Sequence, residues 1–511
     1  MDKEGIRMKL EKLIPTFQGS EEGKKEIRGL ATDSRQCGEG FLFFAERGQA
    51  RDGHAYIESA IHKGATCIVH SAEIPKEPGI SYYRVKAEDM PSCVANISRL
   101  FFADPSRHML CYGVTGTNGK TTVSSLIKDI LDRLGIPAGY MGTIAVRYDG
   151  KEEKAGLTTP KAPALQAYLH HMREAGIREV AIEVSSQGLK EQRTDGVDFD
   201  VAIFTNLTWD HLDFHKTMED YFACKQRLFR HMKKEGIAVL NADDERTFAT
   251  LQRVSSCPYV SYGRGEKADY RISDIAYREG GTTFHLHVGD KTYSVRTNLE
   301  AEYNVYNLTA ALAALAESGH SLPAILPLLS DLGRVDGRME RIPNELGIDL
   351  IVDYAHTPDG FCKLFSYIDR IKPKAARIYA IFGSAGRRDK GKRAVMGQLA
   401  AAHCAKIILT EEDPRGEDPV EIGRMIRGDL PEETAYILAD RREAIRRGID
   451  LAQPGDIVLI LGKGDEKYMD RKTGPEPWPG DNLVAAELAE EKARWLSGQP
   501  EASRPEPVTN R

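Results

Sequence analysis

The 511-residue chain is 41% hydrophobic and 29% charged, the balance of a soluble globular protein of about three domains. Its net charge of −6 excludes a broad nucleic-acid-binding surface, so any cationic site for an anionic substrate must be local. No apolar run approaches the ~20 residues of a membrane span, the start Met1-Asp2-Lys3-Glu4-Gly5-Ile6-Arg7 lacks the apolar core of a signal peptide, and eight cysteines are scattered without close pairs, which together predict a cytoplasmic protein with reduced thiols.

Residues 1–105 predict a first domain of short strands. Phe41-Leu42-Phe43-Phe44-Ala45 reads as a buried strand, and Ala60 to Val69 as a helix end, a stop at Gly64 and a second strand. A middle domain is expected over 106–333. Its apolar runs Val180–Val184 and Val201–Phe204 have the character of parallel strands covered on both faces. Residues 269–297 alternate, with turns at Gly280-Gly281 and Gly289-Asp290, and predict a small antiparallel sheet. Over 334–495, strands near 350–352, 378–382, 407–409 and 457–460 alternate with helices and predict a doubly wound sheet. Residues 496–511 are polar and proline-bearing, as in a disordered tail. The fold class is therefore α/β, with a central phosphate-loop-type, mostly parallel sheet and a Rossmann-like C-terminal one.

The most informative stretch is Cys111 to Thr122. It reads as a strand, a glycine-bearing turn and a helix opening on Lys120-Thr121-Thr122. Glycines let successive N–H groups of Gly116, Thr117, Asn118 and Gly119 converge on an anion, and the helix start adds further donors. Lys120 supplies charge and a threonine hydroxyl can ligate Mg²⁺. The usual phosphate loop has four residues between its first glycine and the Gly-Lys pair; here five separate Gly113 from Gly119 and two separate Gly116 from Gly119.

Other chemistry-bearing residues follow strand ends. Glu183 lies inside an apolar run, where a carboxylate either binds a metal or satisfies local donors. Asp210, His211, Asp213 and His215 follow a second strand and offer metal-ligating groups. Lys225 has apolar neighbours on its helical face; burial would make it nucleophilic, but a snorkelling lysine is the default. Asp353-Tyr354-Ala355-His356 is either a ligand site or a polar turn. The basic stretch Gly383–Arg393 either faces phosphates and carboxylates or is a solvated loop, and Arg415 either clamps a carboxylate or forms a surface ion pair.

In this order, the motifs resemble those of the Mur ligases, specifically the MurE type that adds the third residue to UDP-N-acetylmuramoyl-L-alanyl-D-glutamate. The resemblance extends to about residue 490. It implies an ATP- and Mg²⁺-dependent carboxylate–amine ligase of peptidoglycan precursor synthesis, acting as a monomer, with 1–105 binding the UDP-sugar, 106–333 binding ATP and 334–495 completing the site. Through Thr32-Asp33-Ser34-Arg35 it places Ser34 near the uridine. Thr158, Thr159, Ser185 and Arg193 match positions that hold the muramoyl dipeptide. Thr121, Glu183 and His211 match metal ligands, and Lys225 matches a lysine that the family carbamylates. Asn304, Asn307, Arg338, Asp353 and His356 match the nucleotide side. Arg388, Asp413, Arg415, Gly462 and Glu466 match positions around the incoming amino acid.

Two departures bear on that amino acid. The family's diaminopimelate-adding members usually show Asp-Asn-Pro-Arg and Gly-Lys-Gly-His-Glu, where this chain has Glu412-Asp413-Pro414-Arg415 and Gly462-Lys463-Gly464-Asp465-Glu466. Arg415 favours meso-diaminopimelate, whereas Asp413 and Asp465 favour the ammonium end of lysine or ornithine. Two further alternatives stand at this stage: a folate-type glutamate ligase and a silent nucleotide-binding scaffold.

Overall fold

The computed structural model describes residues 6–48, 51–154, 156–278, 280–333 and 337–498. Apolar runs form strands in three main sheets. In the first, Gly29–Ala31, Phe41–Phe44, Ala65–His70 and Ser81–Arg84 pair in parallel in that order. The helix Ile57–His62 ends before Gly64, whose φ of +99° suits glycine and where a Cβ would lie 2.7 Å from Glu39 Cα. Helix Met90–Phe101 buries Val94, Ile97 and Phe101 against Leu42, Phe44 and Val69.

Among the described residues, the central sheet has eleven strands. Its parallel run begins, in spatial order, with Ala138–Met141, Glu179–Glu183, Leu110–Thr115, Phe199–Phe204, Met232–Asn241 and Tyr259–Gly263. Alternate residues of one strand serve opposite cores: Tyr112 and Val114 pack with helices Lys120–Arg133 and Glu302–Glu317, and Cys111 packs with Leu165, Leu169 and Ile182. Coverage on both faces accounts for the continuous apolar runs.

The antiparallel strands expected over 269–297 are Tyr270–Arg278, Gly281–Val288 and Lys291–Thr297. They are not a separate sheet. Tyr262 and Gly263 pair in parallel with Tyr270 and Arg271, which extends the central sheet. The physical reason is shared burial, because Tyr270, Ile272, Phe284, Leu286 and Val295 join the same core as helix Glu302–Glu317.

The third sheet runs Glu340–Arg341, Asp349–Asp353, Ile457–Leu461, Ile378–Phe382, Lys406–Leu409 and Ala435–Ile437, parallel except for its first strand. Helices cover both faces in two distinct cores. Beneath its strand ends lies a fully buried ion pair. Arg441 Nε and Nη2 donate to the two Asp481 carboxylate oxygens at 2.8 and 2.6 Å, and the remaining donors reach Glu411 O and Leu461 O. A hairpin, Tyr468–Arg471 with Gly474–Pro477, stands apart from this sheet. The last helix, Asp481–Leu496, includes the first residue of the expected tail, and 499–511 lie outside the described residues. Among the described residues, no helix is long and apolar enough to cross a membrane.

Candidate active site

The loops after the parallel strands of the central and C-terminal sheets line one cavity of about 1160 Å³. Ligands of open α/β sheets bind at such strand ends. The phosphate loop occupies one wall. Gly116 and Gly119 have φ of +148° and +90°, and side chains there would collide with Thr205 Oγ1 and Asn307 Oδ1. The loop is tied to the neighbouring strand end: Thr117 N donates to Asn206 O (2.8 Å), Asn118 N to Asn206 Oδ1 (3.0 Å) and Thr205 Oγ1 to Asn118 O (2.6 Å). Helix Lys120–Arg133 starts directly behind it. Lys120 Nζ folds onto the loop, donating to Gly116 O (3.0 Å) and Thr117 O (2.8 Å), and burial lowers its pKa while Glu183 and Asp210 oppose that shift.

Glu183 is completely buried. Its Oε1 accepts from Tyr140 OH (2.5 Å) and Thr143 N (3.0 Å), and its Oε2 accepts from Thr121 Oγ1 (3.0 Å) and Thr143 Oγ1 (3.1 Å). These donors hold the carboxyl group in one fixed orientation. Thr143 Oγ1 also lies 3.0 Å from Thr158 Oγ1. Thr159 Oγ1 donates to Glu183 O and lies 3.1 Å from Ser185 Oγ, while Thr159 O accepts from Arg193 Nη1 (2.8 Å). Glu191 holds the other edge of the Arg193 guanidinium.

Lys225, on helix Met218–Gln226, is buried rather than snorkelling, with 1% of its surface exposed. Its Nζ donates to Gly116 O (2.6 Å) and lies 4.4 Å from the Tyr221 ring centroid. Burial holds its pKa well below the usual lysine value, and neighbouring Lys120 reinforces this. His211 has a left-handed backbone (φ +55°) and opens partly into the cavity. Desolvation by the surrounding walls, with Lys120 and Lys225 nearby, pushes its pKa down to about 4 against the pull of Asp210. The ring is therefore neutral at pH 7, the form that ligates metals. Burial disfavours ionisation of Asp210, but His211, His356 and Lys392 outweigh it and keep the carboxyl well below its usual range.

Among the described residues, no group of three or more His, Cys, Asp or Glu side chains could hold a metal ion. The donors do suit Mg²⁺, which takes one or two protein ligands and draws the rest from phosphates and water. Glu183 and Thr121 offer hard oxygens beside the phosphate loop.

Asn304 and Asn307, which also line the cavity, lie in the first turns of helix Glu302–Glu317. Asn307 Nδ2 donates to Asn304 Oδ1 (3.2 Å). Arg338 stacks 4.0 Å from the Tyr354 ring centroid. Asp353 accepts from Met339 N and Ala355 N at 2.8 Å each, and burial raises its pKa. The segment is thus both a capped turn and part of the cavity wall.

Contacts between the two halves cross the cavity. Trp209 Nε1 donates to Asp389 Oδ2 (2.7 Å), Asn118 Nδ2 to Asp359 Oδ2 (3.1 Å) and Arg388 Nη1 to Asp213 Oδ2 (3.5 Å). The stretch Gly383–Arg393 is only partly solvated: Lys392 is buried with Nζ 3.8 Å from Asp210 Oδ1, and Arg393 is buried against Glu417.

The candidate amino-acid pocket is built on Glu412–Arg415 and Gly462–Glu466. Gly462 has φ +103° and any side chain would strike Glu412 Oε2. Lys463 Nζ, 1% exposed, donates to Asp413 Oδ1 (2.9 Å) and to Glu466 Oε2. Glu466 Oε1 accepts from Tyr354 OH (3.0 Å). Asp413 is therefore already paired. Arg415 lines the cavity with Nε donating to Asp470 Oδ2 (2.8 Å), whereas its Nη1 is buried and has no hydrogen-bond partner among the described residues.

Of the sequence-predicted residues, all line this cavity except Gly116 and Thr159, which lie behind it in contact with lining residues, and Ser34. Ser34 is buried on the N-terminal sheet's side, in a turn capped by Asp33. Sequence reasoning missed Tyr140, Thr143 and Asp470, none of which carries a motif of its own, whereas Asn206 and Lys392 lie in stretches it singled out.

Residues 26–102, 114–315 and 337–464 match the models described as Mur ligase family, catalytic domain; Mur ligase middle domain; and Mur ligase, glutamate ligase domain. The chain is 38% identical over 464 residues to a Geobacillus kaustophilus protein named UDP-N-acetylmuramoyl-L-alanyl-D-glutamate--2,6-diaminopimelate ligase, covering 89% of this chain and 93% of that one. A Geobacter sulfurreducens protein of the same name is 37% identical, with 87% and 91% covered. A solved structure of a ligase with that name superposes with a TM-score of 0.68 at 29% identity, over 96% of this chain and 99% of the other. With identity of this extent spread across all three sheets, the chain belongs to the Mur ligase family.

Proposed function

We propose that the chain is an ATP-dependent ligase that joins meso-diaminopimelate to UDP-N-acetylmuramoyl-L-alanyl-D-glutamate through an acyl phosphate. The observation that carries this reading is one cavity holding both a phosphate loop and the partly exposed Arg415 guanidinium. A substrate carboxylate entering the cavity is a charge-matched, planar partner for the exposed part of that fork. Lysine and ornithine lack a distal carboxylate, and Asp413, one of the two acids that would have favoured them, is paired with Lys463, while the other, Asp465, lines the cavity. The names of the relatives point the same way. Residues 1–105, 106–333 and 334–495 are assigned to UDP-sugar binding, ATP binding and closure of the site, in a monomer acting in the cytoplasm.

A carboxylate does not condense with an amine at neutral pH, so it must first be activated. In this reading the D-glutamyl side-chain carboxylate attacks the γ-phosphorus of ATP, the bond to the β,γ-bridging oxygen breaks, and ADP leaves. The diamino acid's amine then attacks the acyl phosphate, loses its proton and expels phosphate. Phosphoryl transfer of this kind depends on positioning and charge neutralisation. Loop N–H groups and Lys120 hold the phosphates. Thr158, Ser185 and Arg193 orient the dipeptide. Contacts such as Trp209–Asp389 and Arg388–Asp213 draw the C-terminal loops over the cavity and exclude water from the acyl phosphate. Two Mg²⁺ ions, sharing Glu183, Thr121, His211 and the modified Lys225 as protein ligands and completed by phosphates and water, would neutralise phosphate charge.

Carbamylation of Lys225 needs a neutral amine. Because its pKa is lowered, Nζ is the free base at pH values where an ordinary lysine is charged, and it reacts with CO₂ to give a carbamate and a proton. We expect the native protein to carry the mass of one CO₂ at Lys225, lost in acid and absent from Lys225→Arg. A wild-type mass without it after equilibration in bicarbonate sinks the modification.

The reading is tested by phosphate release with ATP, Mg²⁺ and the UDP-dipeptide, comparing meso-diaminopimelate with L-lysine. Release that depends on diaminopimelate is expected. Release only with lysine overturns the substrate assignment, and release with neither overturns the activity.

A further inference from the structure

We propose that Asp470 is a positioning residue that sets the choice of third amino acid by fixing the Arg415 guanidinium; this rests on Arg415 docking a substrate carboxylate. The loop that carries Arg415 does not hold its shape unaided. Asp413 and Arg415 both have left-handed backbones, with φ of +42° and +49°, which a side chain disfavours. The hairpin Tyr468–Arg471 with Gly474–Pro477 offsets that strain. Arg415 N donates to Asp470 O (2.9 Å), Asp470 N donates to Asp413 Oδ1 (2.9 Å), Asp413 N donates to Met469 Sδ (3.2 Å), and Arg471 pairs with Glu411. Loop and hairpin thus form one unit at the cavity wall.

Within that unit, the three faces of the guanidinium are treated differently. Asp470 Oδ2 takes Nε at 2.8 Å, Asp413 Oδ2 lies 3.4 Å from Nη2, and the buried Nη1 has no partner among the described residues. A guanidinium is a planar fork that cannot shed its charge, so its orientation decides which acceptor it serves. Asp413 is two residues away and already near Nη2. Without the Asp470 anchor, the fork is free to turn onto Asp413 and form a paired contact inside the chain. The carboxylate docking point would then be satisfied internally, and the distal end of diaminopimelate would lose its advantage over the uncharged or cationic ends of other diamino acids. Asp470 therefore acts through Arg415. Its side chain is 31% exposed, so the Arg415–Asp470 pair adds little to global stability, and its value lies in orientation.

The test is steady-state kinetics of Asp470→Asn in the full-length chain, which keeps the backbone contacts and the side chain's size. KM for meso-diaminopimelate is expected to rise about tenfold, the scale of one charge-assisted hydrogen bond. KM for ATP and for the UDP-dipeptide should stay within about twofold of wild type. The preference for diaminopimelate over lysine, as a ratio of kcat/KM, should fall with the diaminopimelate term. In an Arg415→Ala background the same change should have no further effect on the diaminopimelate KM, because nothing is left to orient. An unchanged diaminopimelate KM overturns the proposal, as does a parallel rise for all three substrates, which would mark Asp470 as a structural prop only. A wild-type enzyme that does not depend on diaminopimelate overturns both this proposal and the function it rests on; a diaminopimelate-dependent wild type with a wild-type-like Asp470→Asn overturns this proposal alone.

Discussion

Phosphate release by a Lys120→Met variant is expected to fall about a thousandfold or more, the cost of removing a cation that stabilises a transferring phosphoryl group. Methionine keeps the length and apolar stem of the side chain, so what is lost is the charge. Lys120 Nζ touches the Gly116 and Thr117 carbonyls in the loop itself, at the start of the helix whose N–H groups face the same space. Two carboxylates, Glu183 and Asp210, act on it from the cavity side. A nucleotide brings further negative charge to that point, and the ammonium is the protein cation built into the loop to meet it. The measurement is single-turnover phosphate release at saturating ATP, with circular dichroism to confirm the fold. A variant within about tenfold of wild type would show that other groups provide the neutralisation.

The largest effect on stability is expected at Arg441. Both partners of the Arg441–Asp481 pair are fully buried, each at the first turn of a helix, and the guanidinium also satisfies two strand-end carbonyls. Arg441→Met should destabilise the chain by about 3–5 kcal/mol, because it leaves the buried Asp481 carboxyl without its counter-ion. Removing both charges, as Arg441→Met with Asp481→Leu, should recover much of that loss, since the pair itself carries a desolvation cost. Chemical denaturation followed by fluorescence reads both. A single variant within about 1 kcal/mol of wild type would mean that water reaches Asp481.

Much of the fold is legible in the sequence, because strands covered on both faces need continuous apolar runs. Glu179–Glu183, Phe199–Phe204 and Ile457–Leu461 are of that kind. The pairing of Tyr262 with Tyr270 is not legible, because alternation shows that a strand is half-buried but not which sheet it joins. The phosphate loop is readable because its chemistry sits in consecutive residues. The support around Glu183 is not: Tyr140 and Thr143 reach it from another strand and its following turn, about forty residues away in sequence. Lys225 shows how a default misleads. Its neighbours Tyr221, Leu228 and Phe229 all become core residues, so the signal for burial was present, but lysine's habit of reaching solvent argued the other way. Asp413 shows the converse, a motif departure whose meaning depends on Lys463, fifty residues further on.

The Trp209–Asp389 contact also makes the chain its own optical gauge of closure. Only three tryptophans are present. Trp478 lies on the C-terminal sheet's side with its indole N–H toward Asp481, and Trp495 stands at the surface near the end of the last helix. Trp209 alone bridges the two halves, with its ring packed near Gly391 and its N–H on a carboxylate of the opposite loop. Separation of the halves hydrates that ring and removes the charged neighbour, both of which alter indole emission. In a chain with Trp478 and Trp495 changed to phenylalanine, any separation of the halves would be read from Trp209 emission without a label.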